Sequence, residues 1–274
     1  MKKIIKKIIK KLNKKEKIAI PYLIEEINIL KGKTVLITGG TGDIGIAIAK
    51  KVIKTGGKVI ITGTSEEKIK ETCHMINNEN CNGVVLDLSK LDSIKKCIDD
   101  AIKIVKDSQI DILVNCAGYN PRKDFFSTTE EDFDKTIAVN VKGTFFISQV
   151  FAKYLIDRKI KGHILNISSS SALRPAWSSY EISKWAIKGF TIGLADNLIP
   201  YGIIVNSLAP GPTATKMQNS SDASDLDYST PIKRMATTEE IASLAIMLIS
   251  DYGNLIVGDT IYATGGSGVI SLHN

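Results

Sequence analysis

The chain contains 274 residues, of which 43% are hydrophobic and 24% charged, a composition that excludes collagens, mucin-like stalks and low-complexity chains. Its length is sufficient for a continuous hydrophobic core, and its apolar runs fall short of the roughly 18 residues that a membrane-spanning helix needs. The formal net charge is +7, but residues 1–17 alone hold nine lysines and one glutamate. The rest of the chain is close to neutral, which excludes a broad nucleic-acid-binding surface there.

The lysine-rich start of the chain has an amphipathic pattern. Residues 2–12 alternate lysine pairs with isoleucine pairs, which places an apolar stripe and a basic stripe on opposite sides of a helix. Such a helix can lie on an anionic membrane surface, although a solvated extension or a helix docked on the protein itself fits the same pattern. We expect a basic N-terminal extension over residues 1–30, with weak peripheral membrane contact through residues 1–17 as one alternative, and a single domain over residues 31–274.

Short β-branched runs alternate with helix-length amphipathic segments after this extension. Strands are predicted at residues 34–38, 58–62, 83–88, 110–115, 163–168, 203–208 and 260–263, and helices at residues 44–55, 65–77, 91–106, 130–157, 180–198 and 238–250. This alternation predicts the α/β class, a doubly wound, mostly parallel sheet of the Rossmann type. Ligands of such sheets bind at the carboxyl ends of the strands.

The first predicted strand is followed at once by a glycine-rich turn, T-G-G-T-G-D-I-G at residues 38–45. Glycines allow a sharp turn and a close approach to a pyrophosphate, which the N–H groups and the dipole of the next helix stabilise. We expect a dinucleotide site here, because four glycines exceed what a tight turn alone requires. Its expected residues are Gly39, Thr41, Gly42, Asp43, Ile44 and Gly45.

The residues after the second and third strands bear on the choice of nicotinamide cofactor. An acidic side chain after the second strand would bond the ribose 2′-hydroxyl of NAD and repel a 2′-phosphate, but residues 62–65 read T-G-T-S. Thr64 and its neighbours therefore favour NADP(H) over NAD(H). Asp87, followed by Leu88, is expected to meet the adenine amino group, and a helix cap made with Ser89 is the alternative.

Tyr180 and Lys184 stand four residues apart in a predicted helix, so they lie on one face. A free phenol has a pKa of about 10, and a nearby ammonium stabilises the phenolate, which lets such a tyrosine exchange a proton with a substrate oxygen. Upstream, the fifth strand runs into four serines at residues 168–171, whose hydroxyls can hydrogen-bond a developing alkoxide. A surface helix with an ordinary lysine is the alternative interpretation.

Taken together, the motifs resemble those of the short-chain dehydrogenase/reductase family, in its short single-domain branch, which includes 3-oxoacyl-[acyl-carrier-protein] reductases and sugar-acid dehydrogenases. The residues that carry the resemblance, between 31 and 268, are the glycine turn, Asp87, N-C-A-G at 115–118, Asn140, the serine before Tyr180 and Lys184, Pro210-Gly211 followed by Thr215, P-I-K-R-M at 231–235, and G-D-T-I-Y-A-T-G-G at 258–266. The resemblance implies an NAD(P)-dependent enzyme that interconverts a secondary alcohol and a ketone.

Roles for the catalytic residues follow from the resemblance. Tyr180 is the implied general acid/base, Lys184 holds the nicotinamide ribose, and Asn140 supports a relay water beside Lys184. Ser169 is the implied catalytic serine, and Ser168 is the runner-up because its side chain faces the other side of an extended strand.

The implied cofactor contacts extend along the carboxyl edge of the sheet. Asn115 steadies the central strands, and Ala117 and Gly118 back the adenosine half of the cofactor. The nicotinamide end is held by Pro210, Gly211, Thr213 and Thr215.

Three features depart from the family pattern. Asp43 stands where the middle glycine of the short branch belongs, which gives the T-G-x-x-G-x-x-G spacing of the longer, epimerase-like branch. Ser169 and Tyr180 are closer in sequence than is usual in the family. Cys116 replaces a small residue or asparagine.

A nucleotide-sugar epimerase or dehydratase is disfavoured, because too few residues follow Gly211 for its extra domain. A non-catalytic dinucleotide-binding scaffold usually lacks the tyrosine or the lysine.

The substrate is expected beside Tyr180, under a lid formed by residues 213–234. Asn120, Arg122 and Lys123 form the opposite rim and suit a sugar acid or an acyl-carrier-protein thioester, although exposed charges are more often merely solvated. The resemblance to the family implies a homotetramer or homodimer through the helices at 130–157 and 180–198.

The cysteines and histidines show no metal-ligand spacing. We therefore expect free thiols in a reducing cytoplasm and no metal.

Overall fold

The computed structural model describes residues 28–106, 108–215, 217 and 230–270. They form a seven-stranded, all-parallel sheet with helices on both faces. The strands are β1 (Thr34–Thr38), β2 (Lys58–Gly63), β3 (Cys81–Val85), β4 (Ile112–Asn115), β5 (His163–Ile167), β6 (Ile204–Pro210) and β7 (Thr260–Ala263). The main helices are α1 (Asp43–Lys54), α2 (Glu66–Ile76), α3 (Leu91–Val105), α4 (Glu130–Ile137), α5 (Thr144–Asp157), α6 (Ser179–Leu198) and α7 (Thr238–Leu248).

The strand order is β3-β2-β1-β4-β5-β6-β7, so the direction of winding reverses between β1 and β4. Val35 of β1 pairs with Val59 of β2 on one side and with Ile112 of β4 on the other. The connections after β1 and β4 leave toward opposite faces, which opens a crevice at the carboxyl ends of these two strands. The predicted doubly wound sheet is confirmed.

Side chains of β1 alternate between two hydrophobic clusters, one on each face of the sheet. Val35 and Ile37 belong to the cluster that includes α1 and α7, and Leu36 belongs to the one that includes α3 and α5. All five residues of β1 are buried, as its apolar β-branched sequence predicts. Leu30 is fully buried in the first cluster and Ile29 packs against it, so the described core includes residues before the predicted boundary at residue 31.

Two predicted elements differ most from the structure, whereas the bounds of the others agree to within two residues. The third strand was predicted at residues 83–88 but ends at Val85, because Leu86 makes the last backbone bond to β2 and Asp87 then enters a turn with Ser89. The single helix predicted at 130–157 is interrupted by a π-helical turn at Ala138–Gly143. A π turn carries an extra residue and has no signature in apolar periodicity.

Within the part of the chain that the structure describes, no helix is long and apolar enough to cross a membrane. The basic extension before residue 28 lies outside the described residues, and so do residues 218–229 of the predicted lid. The expectations for both segments stay predictions.

Candidate active site

The turn after β1 is built from glycines because the backbone there has no room for side chains. Gly39 has a φ of +64°, and a Cβ on it would lie 2.6 Å from the Cα of Ala117. A Cβ on Gly45 would collide with the carbonyl oxygen of Gly39. The glycines therefore bring the start of α1 close to β1 and β4, as the dinucleotide turn predicts.

Helix α1 begins at Asp43, with Gly42 at its N-cap, where no side chain is available to cover the first N–H groups. Such a helix start favours an anion through its N–H groups and its dipole. Asp43 is the first helical residue, which is also the position where the dipole favours a carboxylate. Its side chain shares the wall of the adjoining cavity, so a phosphate bound there has a carboxylate as a neighbour.

A cavity of about 700 Å³ runs along the carboxyl edge of the sheet, from α2 to the end of β6. All of the predicted cofactor residues except Asn115 line it. This cavity passes the glycine turn and reaches Tyr180, so its length suits an extended dinucleotide.

Asn115 lies behind the cavity and connects strands. Its side-chain amide donates to Ser148 Oγ and to Asn166 Oδ1, both at 2.9 Å, and Asn166 in turn donates to Thr191 Oγ1 at 3.0 Å. These contacts join β4, β5, α5 and α6, so Asn115 connects elements behind the cavity and, unlike the other predicted cofactor residues, does not line it.

At the adenosine end, Asp87 holds the turn that follows β3. Its Oδ1 accepts hydrogen bonds from the backbone N–H of Ser89 at 3.0 Å and from the Ser89 hydroxyl at 2.6 Å, and Lys90 lies 3.4 Å from Oδ2. The hydrogen bonds from Ser89 hold the pKa of the Asp87 carboxyl below its ordinary value. Asp87 therefore forms a turn with Ser89 and lines the cavity. It is not the predicted helix cap, since the N-cap of α3 is Lys90, which makes no side-chain cap hydrogen bond.

Lys68 is a cavity residue that the motifs do not identify. It lines the same end of the cavity as Thr64, in the first turn of α2, where its backbone N–H donates to the capping hydroxyl of Ser65 at 3.3 Å. A search of the strand end alone misses Lys68, because residues 62–65 contain no arginine or lysine. Its position in the first turn of α2, three residues after the Ser65 cap, could have identified it.

The start of α6 fixes Tyr180 in place. Ser178 and Glu181 form a reciprocal capping box, in which the Ser178 hydroxyl accepts from the Glu181 N–H and the Glu181 carboxylate accepts from the Ser178 N–H at 2.9 Å. This box defines the first helical turn, which carries Tyr180. Tyr180 lines the cavity, half-buried.

Lys184 lies one turn further along α6 and is 5% exposed. Its Nζ donates a hydrogen bond to the carbonyl oxygen of Ile167 at 3.0 Å and lies 5.4 Å from the centroid of the Tyr180 ring. The predicted tyrosine–lysine pair thus shares one wall of the cavity.

The structure separates the two candidate serines after β5. The hydroxyl of Ser168 is buried and donates to the backbone carbonyl of Lys184 at 3.3 Å. Both serines line the first cavity, but Ser169 is less buried, also lines a second cavity with Tyr180, and donates from its hydroxyl to Ser171 Oγ at 3.2 Å. This geometry favours Ser169 as the serine that meets a substrate.

Asn140 lies in the π-helical turn and is 2% exposed. Its Oδ1 accepts from the N–H of Tyr119 at 2.7 Å, and its Nδ2 donates to the Tyr119 carbonyl at 2.9 Å and to Ser183 Oγ at 3.0 Å. The side chain is therefore engaged with the loop after β4 and does not line the cavity. Asn140 Oδ1 and Lys184 Nζ nevertheless face the same position, since a Cβ on Gly118 would lie 3.8 Å from each.

A second cavity, of about 590 Å³, adjoins the first at the catalytic residues. Ser169, Tyr180, Gly211 and Met217 line both cavities. The predicted rim residues Asn120, Arg122 and Lys123 line the second cavity. Arg174 and Trp177, which the motifs do not identify, complete its wall.

No cluster of potential metal ligands occurs among the described residues, and the four cysteines, all of them described, are free. Cys116, which replaces the small residue or asparagine of the family pattern, lines the first cavity. Burial raises the pKa of its thiol to about 12. It is therefore a neutral packing residue at physiological pH.

Comparison with known proteins identifies the family. The family model for short chain dehydrogenases matches residues 33–225. A 3-oxoacyl-[acyl-carrier-protein] reductase FabG of Aquifex aeolicus is 34% identical over 245 residues, which cover 86% of this chain and 98% of the relative. The chain belongs to the short-chain dehydrogenase family.

Other relatives of this short-chain dehydrogenase act on sugars or sugar acids, according to their names. An L-rhamnose 1-dehydrogenase (NADP(+)) of Thermoplasma acidophilum is 34% identical over 247 residues, covering 86% of this chain and 96% of its own. The crystal structure of a gluconate 5-dehydrogenase from Burkholderia cenocepacia, in complex with NADP and tartrate, has a TM-score of 0.80 at 29% identity and covers 89% of this chain and 98% of the other.

These findings confirm the predicted family, fold and class of enzyme. The short-chain dehydrogenase is an oxidoreductase of the NAD(P)-dependent type that interconverts alcohols and ketones.

Proposed function

We propose that Tyr180 is the general acid/base of this dehydrogenase and that Lys184 and Ser169 assist it. The observation that supports this most directly is the position of Tyr180 where the two cavities meet, since one cavity begins at the dinucleotide turn and the other is open to a second ligand. A substrate in the second cavity reaches the Tyr180 hydroxyl and the nicotinamide end of the first.

The proton and the hydride take separate routes in this proposal. The bound nicotinamide supplies the hydride to the carbonyl carbon in reduction and accepts it in oxidation. Tyr180 gives its proton to the carbonyl oxygen as the alcohol forms, and it receives that proton in the reverse direction. The Ser169 hydroxyl turns from Ser171 Oγ to the same oxygen and donates a hydrogen bond to it, where negative charge develops.

Lys184 contributes its positive charge from the side opposite the substrate. Because its ammonium is anchored on the Ile167 carbonyl, it cannot swing into solvent without losing that bond. A fixed cation near the phenol stabilises the tyrosinate that remains after proton donation. We propose that its remaining donors hold the nicotinamide ribose.

Asn140 is proposed as a positioning residue in this mechanism. Its three hydrogen bonds hold the backbone of Tyr119 and the hydroxyl of Ser183, both close to the Lys184 side of the site. The relay water that the family resemblance implies would lie between Asn140 and Lys184, next to Gly118.

NADP(H) is proposed as the preferred cofactor. The cavity wall near the end of β2 offers the hydroxyl of Thr64 and the ammonium of Lys68. A 2′-phosphate gains from a cation and from the N-terminus of α2, which Ser65 caps. The name of the rhamnose dehydrogenase includes NADP(+), and the gluconate 5-dehydrogenase was solved with NADP. A 3-ketoacyl-(acyl-carrier-protein) reductase from Brucella melitensis was instead solved with NADH.

A homodimer or homotetramer is proposed from exposed apolar side chains on α5 and α6. Phe145, Trp185 and Ile192 are each more than two-fifths exposed. Large apolar groups on one surface favour association. Light scattering on the purified protein would test this, and a monomer at micromolar concentration would contradict it.

We also propose that the enzyme works in a reducing cytoplasm, which its four free thiols suit. Contact of residues 1–17 with an anionic membrane stays a separate proposal. Co-sedimentation with anionic vesicles, comparing the full chain with one that starts at Ile18, would test it, and equal pelleting would contradict it.

The test of the enzymatic proposal is the change in nicotinamide absorbance with a panel of ketones and sugar acids, for the wild type and Tyr180→Phe. Turnover that depends on Tyr180 supports the mechanism. Binding of NADPH without turnover of any substrate would support the scaffold alternative instead.

A further inference from the structure

The second cavity is polar where it adjoins the catalytic hydroxyls. Its wall carries the side chains of Ser170, Ser171 and Ser178 beside Ser169, with the amide of Asn120 on the opposite side. Hydroxyls and amides in a wall require polar partners when a ligand displaces water from them. Ser178 and Ser171 already have partners in Glu181 and Ser169. A small hydroxyl-rich substrate offers partners to the Ser170 hydroxyl and the Asn120 amide N–H groups, which a hydrocarbon chain does not.

Two other charged side chains in the wall of this cavity have partners within the protein. The Glu181 carboxylate accepts from the N–H groups of Ser178 at 2.9 Å and of Trp177 at 3.1 Å, where it caps α6. Lys123 is paired with Asp132 at 2.9 Å. Neither charge is available to a ligand without breaking these contacts.

Arg174 is different, because no carboxylate of the described residues pairs with it. Its Nη2 donates to the hydroxyl of Ser267 at 2.6 Å, which is a neutral partner. A guanidinium has five N–H donors in a rigid fork, and the bond to Ser267 uses one of them. The guanidinium of Arg174 is therefore a cation in the wall of the second cavity that has no carboxylate partner among the described residues.

The position of Arg174 is fixed from two directions. Its carbonyl oxygen accepts a hydrogen bond from Trp185 Nε1 at 2.9 Å, which ties the loop to α6. Its guanidinium packs against Gly268, where a Cβ would lie 3.1 Å from Nε. A side chain held in this way loses little conformational freedom when it binds an anion.

Chain connectivity places this cation close to the reacting groups. Arg174 lies in the loop that joins Ser169 to Tyr180, and all three line the second cavity. A single small molecule in this cavity can therefore place an anionic group at Arg174 and a carbonyl at Ser169 and Tyr180.

We propose that Arg174 binds a carboxylate of the substrate and makes this dehydrogenase specific for short polyhydroxy acids and their keto forms. The inference rests on the proposed function and deepens it. The planar fork of a guanidinium matches the two oxygens of a carboxylate, which adds geometric selection to the charge attraction.

The test compares matched pairs of ligands in the full-length protein saturated with NADP⁺. Four- to six-carbon aldonates, such as gluconate, are each paired with the alditol of the same length, such as sorbitol. Affinity is read from the fluorescence of Trp177 in the cavity wall, and kcat/KM from nicotinamide absorbance. The variants are Arg174→Gln, Arg174→Lys and Lys95→Gln, the last an exposed charge on α3 outside both cavities.

We expect the wild type to prefer aldonates over alditols. Arg174→Gln should weaken aldonate binding about 10- to 150-fold, the range for one hydrogen-bonded charge, and should reduce the aldonate-to-alditol ratio of kcat/KM by the same factor. Arg174→Lys should retain part of the preference, because the charge remains and the fork is lost. Lys95→Gln should match the wild type.

Several results would overturn the assignment of Arg174. They are equal affinity for aldonates and alditols in the wild type, an aldonate preference that survives Arg174→Gln, or a preference for a sugar phosphate or an acetoacetyl thioester over every aldonate. Each of these results differs from a failure of the proposed function, which would appear as an absence of hydride transfer. The affinity measurement would still test the role of Arg174 in that case.

Discussion

The ammonium nitrogen of Lys184 lies 5.4 Å from the centroid of the Tyr180 ring and donates a hydrogen bond to the carbonyl oxygen of Ile167. The contact links the first turns of α6 to the end of β5, so the reacting tyrosine and its cation move with the sheet rather than with a loop. Ser169, two residues beyond Ile167, belongs to the same connection. The three proposed catalytic groups are thus positioned by one strand and one helix.

This arrangement predicts different outcomes for the two neighbouring serines. Ser169→Ala should lower kcat/KM by about 10²- to 10³-fold, since it removes a donor to the developing oxyanion. Ser168→Ala should instead lower the free energy of unfolding by about 1 kcal/mol through loss of its bond to the Lys184 carbonyl, with a much smaller change in kcat/KM. Steady-state kinetics and urea denaturation distinguish them. The opposite pattern would make Ser168 the catalytic serine.

The glycine turn predicts a strong effect of a single methyl group. Gly39→Ala forces a Cβ to within 2.6 Å of the Ala117 Cα at a positive φ, so it should lower the free energy of unfolding by about 1–3 kcal/mol and weaken NADPH binding.

Gly189→Ala is the matched control for this substitution. It adds its Cβ in helix α6 with no other atom within 4 Å, so it should raise the free energy of unfolding by about 0.5–1 kcal/mol. Denaturant titration of both variants measures this difference. Equal effects of the two substitutions would contradict the close contact between Gly39 and Ala117.

The position of Lys68 in the wall of the first cavity predicts a preference for NADPH over NADH. Lys68→Gln should weaken NADPH binding about 5- to 10-fold and leave NADH binding nearly unchanged, because only the 2′-phosphate meets the ammonium. Lys70→Gln on the same helix is the control, since Lys70 pairs with Glu66 at the surface and lies outside the cavity. Isothermal titration with both cofactors measures the ratio. Tighter binding of NADH than of NADPH by the wild type would contradict the proposed preference itself.

The ion pair before α7 predicts an acid dependence of stability. Glu240 forms two hydrogen bonds with Arg234, at 2.6 and 2.7 Å, and the bonds from Arg234 lower the pKa of the Glu240 carboxyl from its ordinary value of 4.5. A carboxyl with a lowered pKa contributes stability above its unfolded pKa. That stability should be fully present at neutral pH, begin to fall near pH 4.5, and be lost as pH passes through the lower folded value.

Glu240→Gln removes this titration, so the variant should be less stable than the wild type at pH 7 and closer to it at pH 3. Denaturant titrations across this range measure the difference. A constant gap between the two proteins at all pH values would show that the carboxyl does not carry the effect.

Sequence patterns predicted the parts of this site that depend on local chemistry. The glycines of the turn, the helix spacing of Tyr180 and Lys184, and the all-buried strands each leave a signature in a few consecutive residues. The π turn that places Asn140 leaves none, because its extra residue does not change the apolar pattern.

Contacts between distant parts of the chain could not be predicted in this way. The bond from Arg174 to Ser267 spans 93 residues and depends on how β7 ends beside the loop after β5. The bridge from Asn115 to Asn166 likewise depends on the pairing of β4 with β5. These residues acquire their roles only from the assembled sheet.

The most direct test of the central claim is a single-turnover measurement of hydride transfer by Tyr180→Phe. With enzyme in excess over NADPH and a carbonyl substrate that the wild type reduces, the variant should bind NADPH with unchanged affinity and transfer hydride about 10²- to 10⁴-fold more slowly, since the proton donor is missing. A single-turnover rate within a few-fold of the wild type would contradict the assignment of Tyr180 as the acid/base.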